Sequence, residues 1–158
     1  MFGLFKSRPY HHPDLGTLAR SRGMWRGAIR LASQPVPLVV SGTRQSPDPA
    51  ALAAACAASE LLPVWTPIVA HALFDHYSPS LDAYRRGELD TAEDPFPLIP
   101  KPADVWKHVK VVFLAAGPLD GKTVTEFGYE TAWDIEHTLG ARFVGNEFIE
   151  LNGSVIAP

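Results

Sequence analysis

The stretch "SPDPAALAAACAASELL", starting at Ser46, divides the chain more sharply than any other. Asp48 is of the residue type that caps a helix, its carboxylate accepting from a first-turn N–H that has no partner inside the helix. Pro49 then falls at the first helical position, where proline's missing N–H costs nothing. The alanine-rich body that follows has the strongest intrinsic preference for a helix. A helix beginning here separates two outer segments that must be explained on other terms.

The segment over residues 10–45 alternates with a period of two. "LGTLARSR" sets Leu15, Thr17 and Ala19 against Gly16, Leu18 and Arg20, and "MWRGAIRLAS" sets Trp25, Gly27, Ile29 and Leu31 against Arg26, Ala28 and Arg30. That is the pattern of half-buried strands, with the arginines marking the wet face. Gly23 suits a hairpin turn between them. "PVPLVVSGTR" supplies a third strand, begun by prolines that belong at a strand's start or edge. In the middle segment, Leu61, Trp65, Ile68, Val69, Ala72, Leu73 and His76 recur at spacings of three and four, which makes a second helix with one apolar face. Pro63 and Pro67 are expected in its first turn or at a kink. "SLDAYRRGEL" reads as a last short helix closed by Gly87. Residues 90–103 carry too many prolines for a helix or an interior strand, and "ADVWKHV" adds one or two helical turns with Val105, Trp106 and Val109 turned inward.

The third segment alternates again through "KVVFLAAGPL", "KTVTEFGYETAW" and "LGARFVGNEFIELNG". Asp120-Gly121 and Gly145-Asn146 are turn pairs that tolerate positive φ. Strands, then helices, then strands predict one α+β domain over residues 1–158. Its antiparallel sheet is built from N- and C-terminal three-stranded segments and covered by the central helical segment.

Bulk properties exclude some functions. A chain of 158 residues with 46% hydrophobic and 20% charged residues is an ordinary folded domain that needs no covalent staple. A net charge of −3 and a pI near 6.0 give no footprint for a nucleic-acid backbone. Lys6, Arg8, Arg20, Arg22, Arg26 and Arg30 are better read as charges that keep a sheet face soluble. The single cysteine, Cys56, cannot form an internal disulfide and resembles a small buried hydrophobe. "MFGLFKSRPYHH" is too short in apolar residues for a signal peptide, and no run approaches the roughly 18 apolar residues of a membrane span. The expectation is a cytoplasmic protein with neither a nucleic-acid nor a membrane partner.

The densest polar stretch is "WDIEHTLGARF", residues 133–143. Phe127, Tyr129, Thr131 and Trp133 share one strand face, Leu139, Ala141 and Phe143 share another, and Asp134 to Thr138 connect them. Asp134, Glu136 and His137 are chemically adequate as metal ligands, or Glu136 and His137 as acid and base. The stronger reading is a turn: an Asp accepting from backbone N–H groups, with Glu and His solvating an exposed corner. The stretch also lacks the His spacing of helical metal motifs. His71 and His76 lie about 140° apart on a helix, too far round for a joint site, and His11 and His12 fall in an N-terminal arm. Ser41 lacks the Gly-x-Ser-x-Gly elbow, and Cys56 has no base in its local sequence. "GPLDGKT" misses the phosphate-loop spacing by one place, so Asp120-Gly121 remains a hairpin turn. Trp25, Trp65, Trp106 and Trp133, one from each region, fit a shared core better than an interface.

The ending "YETAWDIEHTLGARFVGNEFIELNGSV", residues 129–155, resembles the ending of small uncharacterised bacterial proteins with a Trp-Asp-x-Glu-His-x-Leu-Gly-x-x-Phe segment, a hairpin turn and a Glu-Leu-Asn-Gly-like strand. Weaker echoes occur in "MFGLF" and "SRGMWRGAIRL". The resemblance implies no activity; by analogy of general form it points to immunity or accessory proteins that act by binding a partner. The expectation is therefore a non-enzymatic protein that binds another protein, with no cofactor and no metal, and with Trp133, Asp134, Glu136, His137 and Arg142 as candidate binding residues. Two alternatives stand beside it: a small metal-dependent hydrolase using Asp134, Glu136 and His137, and a small-ligand module whose pocket is lined by Trp65, Tyr77 and Trp106.

Overall fold

The computed structural model describes residues 6–90 and 95–158. The "MFGLF" start and residues 91–94 of the proline-rich connection lie outside the described residues. Strands β1 (Tyr10–His12), β2 (Gly16–Ser21), β3 (Met24–Leu31) and β4 (Gln34–Val40) precede helix α1 (Pro49–Arg85) and a 3-10 helix (Pro102–His108). Strands β5 (Val109–Leu119), β6 (Lys122–Thr131), β7 (Thr138–Val144) and β8 (Glu147–Val155) follow. All eight form one sheet in sequence order. Neighbours pair antiparallel except β4 and β5, which run parallel over Leu38↔Leu114, Val39↔Ala115 and Val40↔Ala116. The α+β prediction is correct. The three-stranded segments become four-stranded meanders, because β1 adds a short edge strand and the Gly145-Asn146 turn splits the last predicted strand into β7 and β8.

The alternation reads through into burial on β3. Trp25, Ile29 and Leu31 are buried toward the helix while Arg30 is exposed. Arg20 departs from the expected wet face. It lies opposite Trp25, and its Nε is buried without a hydrogen-bond partner among the described residues. The β3–β4 hairpin closes through Ala32 and Ser33, both at positive φ of 47° and 69°, although neither is a glycine or an asparagine.

The middle segment differs most from expectation. One helix of 37 residues replaces the separate pieces, running through Pro63, Pro67 and Pro79. Its start is as predicted: Asp48 Oδ1 accepts from Ala50 N at 2.9 Å, with Pro49 next. The three prolines sit on the solvent side, where water can solvate the carbonyls they free. Thr66 and Ser78, each just before a proline, donate their hydroxyls to Leu62 O at 2.7 Å and Phe74 O at 2.9 Å, adding bonds to the weakened turns. The helix ends as predicted at Gly87, where φ is 73° and the Gly87 and Glu88 N–H groups return to Tyr84 O and Ala83 O. Unbroken, α1 is also long and apolar enough to cross a membrane by length and composition alone, with an 18-residue window of mean hydropathy 1.5. Helices in the core of folded domains reach the same mean hydropathy. Its inner side chains, among them Leu52, Trp65, Val69, Leu73 and Tyr77, pack against the sheet.

That layer contact is the core. Trp65 stacks on Phe143 with ring centroids 4.3 Å apart and meets Phe127 edge-on at 5.5 Å. On the opposite face of the sheet, Phe113 is buried over Gly128, where an added Cβ would meet its ring.

Candidate functional site

The corner between β6 and β7 is built outward from the core. Helix-facing alternation along β6 buries Phe127, Tyr129 and Thr131, and the chain leaves the strand with Trp133, 8% exposed, on the same side. Trp133 meets Tyr77 edge-on at 5.4 Å and donates its indole N–H to His76 Nδ1 at 3.2 Å, so the corner is pinned to α1. Tyr77 is fixed in turn, its hydroxyl donating to Pro97 O at 2.9 Å and accepting from Ile99 N at 3.1 Å.

Past Trp133 the chain turns on local bonds. Asp134 N–H donates to Thr131 Oγ1 at 3.2 Å. The Asp134 carboxylate accepts from the His137 backbone N–H at 3.2 Å and from His137 Nδ1 at 2.8 Å. The predicted turn role of Asp134 is therefore observed, and it fixes the ring of its neighbour as well. Glu136 is exposed, and Ile135 stands 87% exposed at the tip. Glu130, Thr131 and residues 134–138 line a recess of about 210 Å³ beside it.

Arg142 belongs elsewhere. On β7 it lies in register with Glu126 on β6 and Glu150 on β8, and it donates to both, to Glu150 Oε1 at 2.6 Å. Burial alone would lower its guanidinium, but the hydrogen bonds it donates to the two flanking carboxylates, and their charges, outweigh that and hold it above its ordinary value. It stitches three strands together. Of the five candidate residues, Trp133, Asp134, Glu136 and His137 form the corner, and Arg142 is committed to the sheet.

The corner could move a proton through the His137 ring. Catalysis needs more: none of the described hydrogen bonds of His137 reaches a hydroxyl or a thiol, and Asp134, Glu136 and His137 do not draw their ligand atoms into one group. The group of His, Cys and Asp side chains that does, His12, Asp14 and Cys56, lies across the fold. Sequence reasoning kept His12 and Cys56 apart because 44 positions separate them, and nothing in the local sequence signals their meeting. As a nucleophile Cys56 is unpromising: burial and then the charge of Asp14 raise its thiol above the ordinary value. Ser41 Oγ is buried beside Gly117 with no hydrogen-bond partner among the described residues. Of the three residues expected to line a ligand pocket, Trp65 and Tyr77 are fully buried core side chains, and Trp106 packs on Tyr129.

A family model described as a domain of unknown function (DUF6985) matches residues 14–157. No curated protein and no solved structure matches the chain.

Proposed function

Because this chain belongs to the DUF6985 family, which carries no assigned activity, we propose its function from the corner itself: it binds another protein through the β6–β7 connection, with Ile135 as the apolar anchor. The observation that supports this is an isoleucine 87% exposed at the tip of a turn held by bonds among Thr131, Asp134 and His137 and anchored below by Trp133. A branched apolar side chain in water gains by burial, about 1.5–3 kcal/mol when fully covered. A loop already fixed loses little conformational freedom on binding. Glu130, Asp134 and Glu136 surround the tip, so the complementary partner offers an apolar pocket rimmed by basic side chains. The role is that of an immunity or accessory protein in the bacterial cytoplasm, non-enzymatic, acting without nucleic acid or membrane.

The test compares wild-type protein and Ile135→Ala as bait in lysate of the source organism, after both are shown to melt alike. A partner recovered by wild type should fall about 30-fold or more with the variant, the size of a hot-spot loss of about 2 kcal/mol. Equal recovery by the two baits, or no partner for either, would overturn the reading.

A further inference from the structure

The second polar cluster lies on the N-terminal side of the fold. His12 ends β1, Asp14 sits in the β1–β2 turn, and Cys56 projects from α1. Their ligand atoms all lie within 4.8 Å of one another, and His12 Nε2 is 3.9 Å from Cys56 Sγ. A tetrahedral ion with a metal–sulfur bond near 2.3 Å and a metal–nitrogen bond near 2.0 Å holds those two atoms about 3.5 Å apart. The pair is already close to the spacing that a shared ion requires. Among the described residues no other group of three His, Cys, Asp or Glu side chains is gathered this tightly.

We propose that His12, Asp14 and Cys56 form a binding site for a divalent transition metal of the zinc class. Thiolate, imidazole and carboxylate together suit a borderline ion rather than calcium or magnesium, which take oxygen ligands. Glu60 stands one helical turn beyond Cys56 on α1, and it lines the same cleft of about 580 Å³ together with Asp14, Arg30 and Ser59. Its carboxylate lies outside the group already gathered and would become a fourth ligand only by swinging toward Cys56. Otherwise the cleft leaves the fourth position to water or to an anion, which Arg30 would favour.

Binding has a proton balance that the turn makes visible. His12 Nδ1 accepts from the backbone N–H groups of Asp14 at 3.1 Å and Leu15 at 3.3 Å, so in the neutral ring the proton resides on Nε2, toward Cys56. When Nε2 takes the metal its lone pair is committed, the ring proton moves to Nδ1, and both amide bonds are released. The Cys56 thiol loses its proton to solvent. Metal loading should therefore change the amide resonances of Asp14 and Leu15.

The experiment titrates cobalt(II) into tag-free full-length protein. One equivalent should bind, with a near-ultraviolet sulfur-to-cobalt charge-transfer band and visible bands of tetrahedral coordination, both removed by zinc. Cys56→Ser should abolish the charge-transfer band, and His12→Gln should weaken binding at least 10-fold, with both variants matching wild type by circular dichroism. His137→Ala should bind as wild type does. No band in wild-type protein, undiminished binding by folded Cys56→Ser and His12→Gln, or loss of binding in His137→Ala would overturn the assignment.

Discussion

Ala32 and Ser33 offer the cleanest measure of how much local strain this sheet carries. The two form a two-residue hairpin loop with φ of 47° and 69°, the geometry of a type I′ turn, whose natural occupants are Asn and Gly. A side-chain-bearing residue in the left-handed region costs roughly 1–2 kcal/mol, and asparagine less. Glycine relieves that strain but gives back roughly 0.5–1 kcal/mol through its freer unfolded chain. Ser33→Gly should thus stabilise by about 0.5–1 kcal/mol, and Ala32→Asn with Ser33→Gly by about 1–2 kcal/mol. Both side chains are exposed, so the change touches no packing. In a chain of 158 residues the double variant should melt roughly 2–8 °C higher, and its urea midpoint should rise with the m-value unchanged. The Arg22-Gly23 turn, already carrying a glycine at φ 81°, is the internal contrast: Gly23→Ser should lose stability. If Ser33→Gly leaves the midpoint unmoved or lowers it, the positive φ is not the strain it is taken to be.

Two other outcomes follow from packing and burial. Gly128→Ala places a methyl against the buried Phe113 ring and should cost about 1–3 kcal/mol in urea unfolding, as overpacking does; a variant as stable as wild type would mean that the ring yields freely. Burial raises the phenol of Tyr129 above its ordinary value, so the native state resists ionisation that the unfolded chain accepts. Stability should be intact below the unfolded phenol's pKa of about 10 and fall as pH rises above it. Tyr129→Phe should flatten that alkaline decline, and an identical slope in both proteins would refute the assignment.

How much of this was legible depends on whether a feature is coded locally. The Asp48–Pro49 start, the Gly87 stop and the Asp120-Gly121 turn each rest on one residue's backbone chemistry, and each was readable. The β3–β4 turn was invisible because Ala-Ser carries no turn signal; its conformation is imposed by the paired strands on either side. Pro63 and Pro67 suggested breaks, yet they, like Pro79, lie on the solvent side of a helix whose other side is held by Trp65, Val69, Leu73 and Tyr77 against the sheet. Tertiary packing overrode a local rule. At the β6–β7 corner the division into inward Trp133, Leu139 and Phe143 and outward Asp134, Glu136 and His137 followed from alternation. The side-chain bond that His137 Nδ1 donates to Asp134 did not, since loop side chains have no periodicity to read. Arg142 looked like part of that corner in sequence, but strand register gave it to Glu126 and Glu150. The convergence of His12 and Asp14 on Cys56 depends wholly on how α1 lies across β1 and β2.

The parallel β4–β5 join gives the chain an uneven folding problem. Every other strand pair is formed by neighbours along the chain, closed by loops of a few residues and so cheap in entropy. Joining residues 38–40 to 114–116 requires closing a loop that spans all of α1 and the connection after it, and three residue pairs carry that closure within the sheet. Within each meander every pairing is local, and the helix lies in the stretch of chain between the two. The molecule therefore resembles two half-sheets with one seam, and the seam is where a cut chain would have to reassociate to recover the whole.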